Sequence, residues 1–179
     1  MEILEQDVAD ATLALMLLVL VALAVRQDLT ERRIANLLSL TGFVAAVFVQ
    51  SLSVGAPGFF FALAGAGVGL ACFLPLYLCK GMGAGDVKLM AAAGAYFGPV
   101  AAFAAAMVSL VAGAVLAIGF LLWRSRDLRT AATAGGTQFL DEGSTPAQLR
   151  KERFPYAVAI AVGVIATMWA RGMLEVFVP

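Results

Sequence analysis

Long apolar runs constrain this chain more than any other feature of its sequence. The hydrocarbon core of a bilayer takes about 20 apolar residues of α-helix. Runs of that length occur four times, at about 9–26, 36–54, 57–79 and 99–123. A fifth run, about 154–177, carries Arg171 near its end. Because 62% of the residues are hydrophobic and only 13% are charged, we predict an all-α, polytopic membrane protein.

A shorter apolar segment, 86–98, decides the predicted topology, although as a helix it would be only about 20 Å long. If it crosses and the N-terminus is outside, every lysine and arginine except Arg171 lies in a cytoplasmic segment; these segments are 26–35, 80–88 and 124–153. Without that crossing, the bases of 124–153 would face the opposite side, against the positive-inside tendency. We therefore predict six transmembrane helices with a short fourth one, and both termini outside.

The composition excludes several kinds of chemistry. The chain has no histidine, which removes the commonest general base and the commonest metal ligand. Cys72 and Cys79 share one predicted helix face but form no CxxC pair, so we interpret them as packing residues. A formal net charge of zero gives no basis for nucleic-acid binding. We expect no metal and no cofactor, which leaves carboxylates as the candidate reactive groups.

Two aspartates are predicted to lie near the same membrane depth. Asp28 follows the first run and Asp86 begins the short segment, so both fall on the cytoplasmic side. Ionisable groups at such depth are costly and tend to be functional. The other acids lie on the opposite side or in the polar 124–153 segment, except Glu31, which we interpret as a loop charge paired with Arg32 and Arg33.

Such a pair has a definite chemistry. Two aspartates in a poorly solvated place share a proton, and their apparent pKa values separate. One carboxylate can then take a proton from a water molecule while the other gives one to a carbonyl oxygen. This is the aspartic-protease arrangement, which needs no histidine, serine, cysteine or metal.

The stretch "KGMGAGDVK" fits a proteolytic site. Gly81, Gly83 and Gly85 recur at every second residue, which is no helical packing face, and they permit unusual backbone angles and close approach of another chain. A membrane helix engages its own amides, so a substrate must be extended where it is cut. Asp86 is also expected to N-cap the helix that follows it. Lys88 could hold Asp86 ionised or could be an ordinary inside-positive flank.

Two features concern the remaining architecture. Small residues recur four apart at Gly65 and Gly69 and at Gly94 and Gly98, which predicts close helix packing. The long segment 124–153 is polar and rich in small residues, so we predict a flexible cytoplasmic loop within a single domain, 1–179.

Three stretches resemble one protein family. "GAGDVKLMAAAGAYFG" resembles the GxGD segment of the prepilin peptidases, also called type IV leader peptidases. "DLTERRIAN" resembles their other catalytic segment, and "FPYAVAIAVG" resembles the Pro-aromatic opening of their last helix. The resemblance implies catalytic roles for Asp28 and Asp86. It also implies that Gly83, Gly85 and Lys88 are the motif glycines and the motif lysine.

The chain departs from the family pattern in two places. Ala35 stands where the family has proline, which would fix the start of the second helix, so Asn36 is predicted to be a plain N-cap. Arg33 and Asn36 are candidates for steadying the Asp28 loop. An N-terminal region with paired cysteines is missing, so the chain resembles the short, peptidase-only branch that serves Flp-type tight-adherence pili, without methyltransferase activity.

The resemblance implies an endopeptidase of the bacterial inner membrane whose active site faces the cytoplasm. Its expected partners are a prepilin with a basic leader and an apolar helix, the lipid bilayer, and the pilus assembly machinery. An alternative function, from a different class of protein, is a small proton-coupled transporter or channel that uses Asp28 and Asp86 as a proton relay. Such a relay requires polar residues to continue across the membrane. A third interpretation is an inactive scaffold protein of a pilus assembly.

Overall fold

The computed structural model describes residues 2–31, 35–133 and 156–172. All regular elements in these residues are α-helices, which confirms the all-α prediction. In chain order they are α1 (Glu2–Glu31), α2 (Asn36–Val54), α3 (Ala56–Leu78), α4 (Ala84–Phe97), α5 (Pro99–Thr133) and α6 (Tyr156–Ala170).

Five of these helices form a ring around the remaining helix, the short α4. The ring runs α1, α2, α3, α5, α6 and back to α1, and the short α4 contacts all five of its members. Every residue from 92 to 97 of α4 is consequently buried. The ring helices present large apolar side chains outward, among them Leu37, Leu52, Phe60 and Trp169, each of which is about 70% exposed. Such a surface is suited to lipid rather than water.

The lengths of the helices separate ring members from the central helix. Four stretches among the described residues are long and apolar enough to cross a membrane; they are Asp10–Glu31, Asn36–Val54, Ala56–Leu78 and Pro99–Gly119. The apolar helix α6 is shorter. The central α4 has 14 residues and is about 21 Å long, against a hydrocarbon thickness of about 30 Å. The fold is that of a multi-pass membrane protein, whereas six crossings and outside termini stay predictions.

Two predicted boundaries are wrong. α1 continues through Glu31, so Asp28 lies inside the last turns of a helix rather than in a connection after it. α5 continues to Thr133, so the first part of the predicted 124–153 loop is helical. Its residues there include several arginines, alanines and a leucine, which favour helix and allow the apolar span to extend as a polar helix. The remainder, 134–153, lies outside the described residues.

Glycines bring α3 and α4 into backbone contact. A Cβ added at Gly65 would overlap the Gly94 carbonyl oxygen and the Gly98 backbone, and one added at Gly94 would overlap the Gly65 carbonyl oxygen. A Cβ at Gly69 would lie only 2.5 Å from the Met90 carbonyl oxygen. The predicted close packing at the two pairs of small residues is confirmed, and the two pairs prove to pack against each other.

Candidate active site

Asp86 lies in the first turn of α4. The helix begins at Ala84, and Gly83 is its N-cap with an extended backbone (φ −81°, ψ 152°). The N–H of Gly83 donates a hydrogen bond to Asp86 Oδ2 at 3.1 Å. The carboxylate thus folds back on the residue that precedes the helix, as the acid of a capping box does. The prediction that Asp86 is the N-cap of a helix that follows it is wrong, because α4 starts at Ala84, two residues before Asp86.

The glycines before Asp86 do not take left-handed backbone angles. The left-handed residue is Lys80 (φ 59°), which ends α3 in a Schellman motif where the Gly81 N–H donates to the Leu76 carbonyl at 2.9 Å. None of Gly81, Gly83 and Gly85 has a positive φ. The expectation that these glycines adopt unusual backbone angles is therefore wrong. Space is the better reason at Gly83, where an added Cβ would lie 3.3 Å from Asp86 Oδ2.

Asp28 is buried although it carries a carboxylate. It lies on the inner face of α1 with 9% of its surface exposed. Its Oδ2 accepts a hydrogen bond from the backbone N–H of Ala157 at 3.2 Å. Ala157 is in the first turn of α6, where amide groups lack partners within the helix and the helix dipole favours a negative charge. The contact joins residues 129 positions apart in the sequence.

Asp28, Asp86 and the Ala157 amide lie on three helices that pack together. Asp28 lies on α1, Asp86 lies in the first turn of α4, and Ala157, the hydrogen-bond donor to Asp28, lies in the first turn of α6. The helices α1, α4 and α6, which carry these residues, contact one another in all three pairings. The two predicted catalytic aspartates are therefore carried by helices that contact each other. Two carboxylates can act as acid and base on a group between them when they lie close together.

Lys88 and Asn36, two predicted support residues, contact each other. Lys88 Nζ donates a hydrogen bond to Asn36 Oδ1 at 3.0 Å, which ties the start of α4 to the start of α2. The prediction that Asn36 is an N-cap is wrong, because Ala35 occupies that position with φ −64° and ψ 129°. A proline could adopt this φ. The Ala35 N–H, which a proline lacks, donates to Gln27 Oε1 at 3.1 Å.

Other predictions about the site are tested only in part. Arg33 lies outside the described residues. Among the residues that the structure describes, no three histidine, cysteine, aspartate or glutamate side chains are grouped as metal ligands. Gln27, Tyr156 and Ala157 were not predicted. Gln27 could have been noticed as the neighbour of Asp28, and Tyr156 as the aromatic residue of "FPYAVAIAVG", but a backbone amide carries no sequence signal.

The opposite end of α4 is polar for a different reason. Gln50 Nε2 donates to the Tyr96 carbonyl at 3.2 Å, and Arg171 Nη1 donates to the Phe97 carbonyl at 3.0 Å. The last carbonyls of a helix have no partner within it, and leaving them unpaired in lipid is costly. An open cavity of about 180 Å³ adjoins this end, and Asp10 is among its lining residues. Gln50 and Arg171 therefore complete a helix that stops short of the membrane surface.

Comparison with known proteins gives one match. The model of the type IV leader peptidase family matches residues 14–118, which is more than half of the chain and includes both aspartates. No curated protein and no solved structure matches the chain. The family match agrees with the resemblance at the GxGD stretch and with a membrane-embedded fold. The chain therefore belongs to the type IV leader peptidase family.

Proposed function

We propose that this protein is a membrane aspartic endopeptidase that removes the short basic leader from type IV prepilins, with Asp28 and Asp86 as its catalytic pair. The observation that carries the proposal is the burial of the Asp28 carboxylate on α1, a helix that contacts α4, whose first turn carries Asp86. The family match supports the peptidase activity. The chain has no histidine, and the described residues contain no group of three or more histidine, cysteine, aspartate or glutamate side chains that could hold a metal ion.

The proposed reaction is acid–base hydrolysis by a pair of carboxylates. One aspartate, as carboxylate, takes a proton from a water molecule that attacks the scissile carbonyl carbon. The other, as carboxylic acid, gives a proton to the carbonyl oxygen. The tetrahedral intermediate then breaks its C–N bond as the first aspartate passes its proton to the leaving amine nitrogen and the second takes a proton back from a hydroxyl, which gives the new carboxyl group and restores the pair. A pair that shares one proton supplies the carboxylate and the carboxylic acid at the same time.

The ring architecture supports the expected geometry of the substrate. Because five helices enclose α4, the scissile peptide has to approach Asp86 at the N-terminal end of α4 rather than at its middle. A peptide cut there must be unwound, since a helical substrate keeps its amides engaged. Gly83 offers an extended backbone without a side chain next to Asp86, which leaves room for an extended strand.

The finer identity of the substrate follows from the resemblance and from charge placement. We infer an Flp-like prepilin, a location in the bacterial inner membrane, and an active site that faces the cytoplasm. A basic leader stays on the side where positive charge accumulates, and its apolar helix remains in the bilayer, so enzyme and substrate meet at one depth. We also infer that the protein lacks methyltransferase activity and works beside the pilus assembly machinery.

The test is processing of a co-expressed prepilin, followed as a mobility shift on a gel. Asp28→Asn and Asp86→Asn should each lower processing by about 10²–10⁴-fold, while the protein still inserts into the membrane. Asp10→Asn is the matched control, because Asp10 is an exposed aspartate at the opposite end of α4, and it should process normally. Normal processing by either site variant contradicts the proposal.

A further inference from the structure

The end of α1 is tied to the start of α2 by the side chain that directly precedes Asp28. The half-buried Gln27 accepts, at its Oε1, a hydrogen bond from the backbone N–H of Ala35 at 3.1 Å. Ala35 is the N-cap of α2, so its amide has no acceptor within that helix. Consecutive residues of an α-helix point about 100° apart, and Asp28 accordingly faces α6, where it accepts the Ala157 amide. The end of α1 is thus held from two sides.

The residue after Ala35 ties α2 in turn to α4. Asn36 Oδ1 accepts a hydrogen bond from Lys88 Nζ at 3.0 Å, and Lys88 lies two residues after Asp86 in α4. Because Ala35 and Asn36 are joined by a peptide bond, the two hydrogen bonds form one polar connection from α1 to α4. We call it the α1–α4 bridge; its members are Gln27, Ala35, Asn36 and Lys88.

Burial does not explain the hydrogen bonds of the bridge. Ala35, Asn36 and Lys88 are exposed, so water can satisfy their polar groups at little cost in free energy. The bond at the other end of α4 is different, because Gln50 and the Tyr96 carbonyl that it serves are buried. What the exposed bonds contribute is a fixed direction, since each of them holds two helix ends in one arrangement.

The bridge joins the two helices that carry the predicted catalytic aspartates. Its first member directly precedes Asp28, and its last follows Asp86 by two residues. A peptidase that takes its carboxylates from two helices needs the ends of those helices held in one arrangement, because misplaced reacting groups lower the rate.

We propose that Gln27 is a positioning residue for the proposed peptidase: through the α1–α4 bridge it fixes the end of α1, with Asp28, relative to the start of α4, with Asp86. The inference rests on the proposed function and adds to that site a residue that acts through the start of α2. Loss of the Gln27 acceptor should therefore be felt at Lys88 and in catalysis.

The first test needs no prepilin. Acetic anhydride acylates lysine amines of the purified protein, and peptide mapping compares Lys88 with Lys80, an exposed lysine that serves as an internal reference. Gln27→Met removes the acceptor and keeps the length of the side chain. If the bridge is continuous, Asn36 is then held less firmly, and the labelling of Lys88 relative to Lys80 should rise about twofold or more.

Two further variants calibrate this labelling. Asn36→Leu removes the acceptor of Lys88 itself and should raise its relative labelling about 2- to 10-fold. Arg26→Met is the matched control, because Arg26 is an exposed residue beside Gln27 on α1, and it should label as wild type does. No rise in Asn36→Leu, or a rise in Asn36→Leu without one in Gln27→Met, overturns the inference.

The second test separates catalysis from substrate binding. In Gln27→Met, kcat for prepilin cleavage per folded molecule should fall about 3- to 10-fold, as expected when reacting groups are misplaced, with KM changed less than about twofold. Arg26→Met should leave both constants unchanged. An unchanged kcat in Gln27→Met overturns the inference.

A double-mutant cycle shows whether Gln27 acts through Ala35. Ala35→Pro removes the amide that Gln27 serves, and the Ala35 φ of −64° suits proline. In the Ala35→Pro background, Gln27→Met should lower kcat no further, because its hydrogen-bond donor is already gone. An equal loss of kcat from Gln27→Met in both backgrounds overturns the inference.

The tests also separate the inference from the proposed function. If wild type fails to process prepilin while Gln27→Met still raises the labelling of Lys88, the proposed function is wrong and the bridge is supported. If wild type processes prepilin and Gln27→Met equals it in kcat and in labelling, the proposed function stands and the role of Gln27 is wrong.

Discussion

The two ends of α4 are both polar, yet their polar groups are of opposite kinds. At the end of the helix, Gln50 and Arg171 donate hydrogen bonds to the carbonyls of Tyr96 and Phe97. At its start, Asp86 accepts a hydrogen bond from the amide of Gly83. Both arrangements complement the dipole of the helix, which is positive at its start and negative at its end.

The two ends of α4 differ in whether the pairing of unpaired backbone groups fully explains the polar side chains that lie there. Gln50 and Arg171 each match an unpaired carbonyl in a helix that is too short to reach the surface, so packing and hydrogen bonding explain them fully. Asp86 likewise satisfies one amide, but α1, which contacts α4, carries a second, buried carboxylate: Asp28 accepts a hydrogen bond from an amide of α6. One carboxylate would suffice to cap α4. A second buried negative charge nearby is costly for stability, which favours a functional role for the pair.

Between these ends, α4 offers no polar continuation. Its residues Leu89, Met90 and 92–95 are apolar or glycine and are buried. The relay interpretation requires polar groups to continue across the membrane, and the central part of the helix does not supply them. The start of α4 is therefore the end for which we propose a reactive site, and the other end is a structural cap.

The largest expected effect separates the chemical role of the carboxylates from their capping role. Asn keeps an oxygen that accepts the Ala157 or Gly83 amide, whereas Ala does not. Asp28→Asn and Asp28→Ala should both lose processing by about 10²–10⁴-fold. Only Asp28→Ala should also lose stability, by about 1 kcal/mol, because it removes the acceptor at the start of α6.

This split is measured by prepilin processing together with thermal unfolding in detergent, and the same comparison applies at Asp86 with its Gly83 amide. If both Asn variants process prepilin normally and only the Ala variants are affected, the two carboxylates are structural caps like the groups at the other end, and the comparison fails.

The next effect concerns the close glycine contacts between α3 and α4. Gly65→Leu would drive a side chain into the backbone of α4 at Gly94 and Gly98, so it should destabilise the fold by about 3 kcal/mol or more. Gly67→Leu is the matched control on the same helix, because an added Cβ there meets nothing within 4 Å. Its unfolding temperature should stay near wild type or rise, since leucine favours helix over glycine.

Thermal unfolding in detergent compares the two variants directly. Similar stability losses in Gly65→Leu and Gly67→Leu would mean that the close contact between α3 and α4 does not hold the central helix in place.

The smallest effect tests the structural end. Gln50→Leu and Arg171→Met each leave a carbonyl of α4 without its donor and should cost about 1–3 kcal/mol. Processing per folded molecule should stay at the wild-type level, because both groups lie at the far end of the helix. Arg26→Met, which changes an exposed arginine of α1, should alter stability by less than about 0.5 kcal/mol. Loss of processing without loss of stability in Arg171→Met would erase the distinction between the ends.

Part of this arrangement could be predicted from local sequence. Run lengths predicted the helices, with the start and end of α2 correct, and the spacing of small residues predicted close packing at Gly65 and Gly94, although not that they pack against each other. Helix ends were harder: α1 and α5 continue past their apolar stretches, because arginine, glutamine and glutamate sustain a helix as well as apolar residues do. Hydropathy indicates which residues can lie in lipid, but it does not indicate where the backbone hydrogen bonds of a helix end.

Contacts between distant segments were not predictable at all. The Asp28 carboxylate meets a backbone amide of α6, and Arg171 meets a backbone carbonyl of α4. Every residue except proline has an amide and a carbonyl, so the sequence does not mark which of them a side chain will reach. The order of helices around α4 decides this, and it depends on packing among all of them.

The central claim is that Asp28 and Asp86 lie together at one end of the ring, and cysteine cross-linking tests it most directly. Asp28→Cys with Asp86→Cys, in a chain that also carries Cys72→Ala and Cys79→Ala, is treated in native membranes with a short bismaleimide. Digestion followed by mass spectrometry should recover the cross-linked peptides from α1 and α4. The pair Asp10→Cys with Asp86→Cys, at opposite ends of α4, should give none. The reverse outcome, cross-linking of the second pair and not the first, contradicts the account.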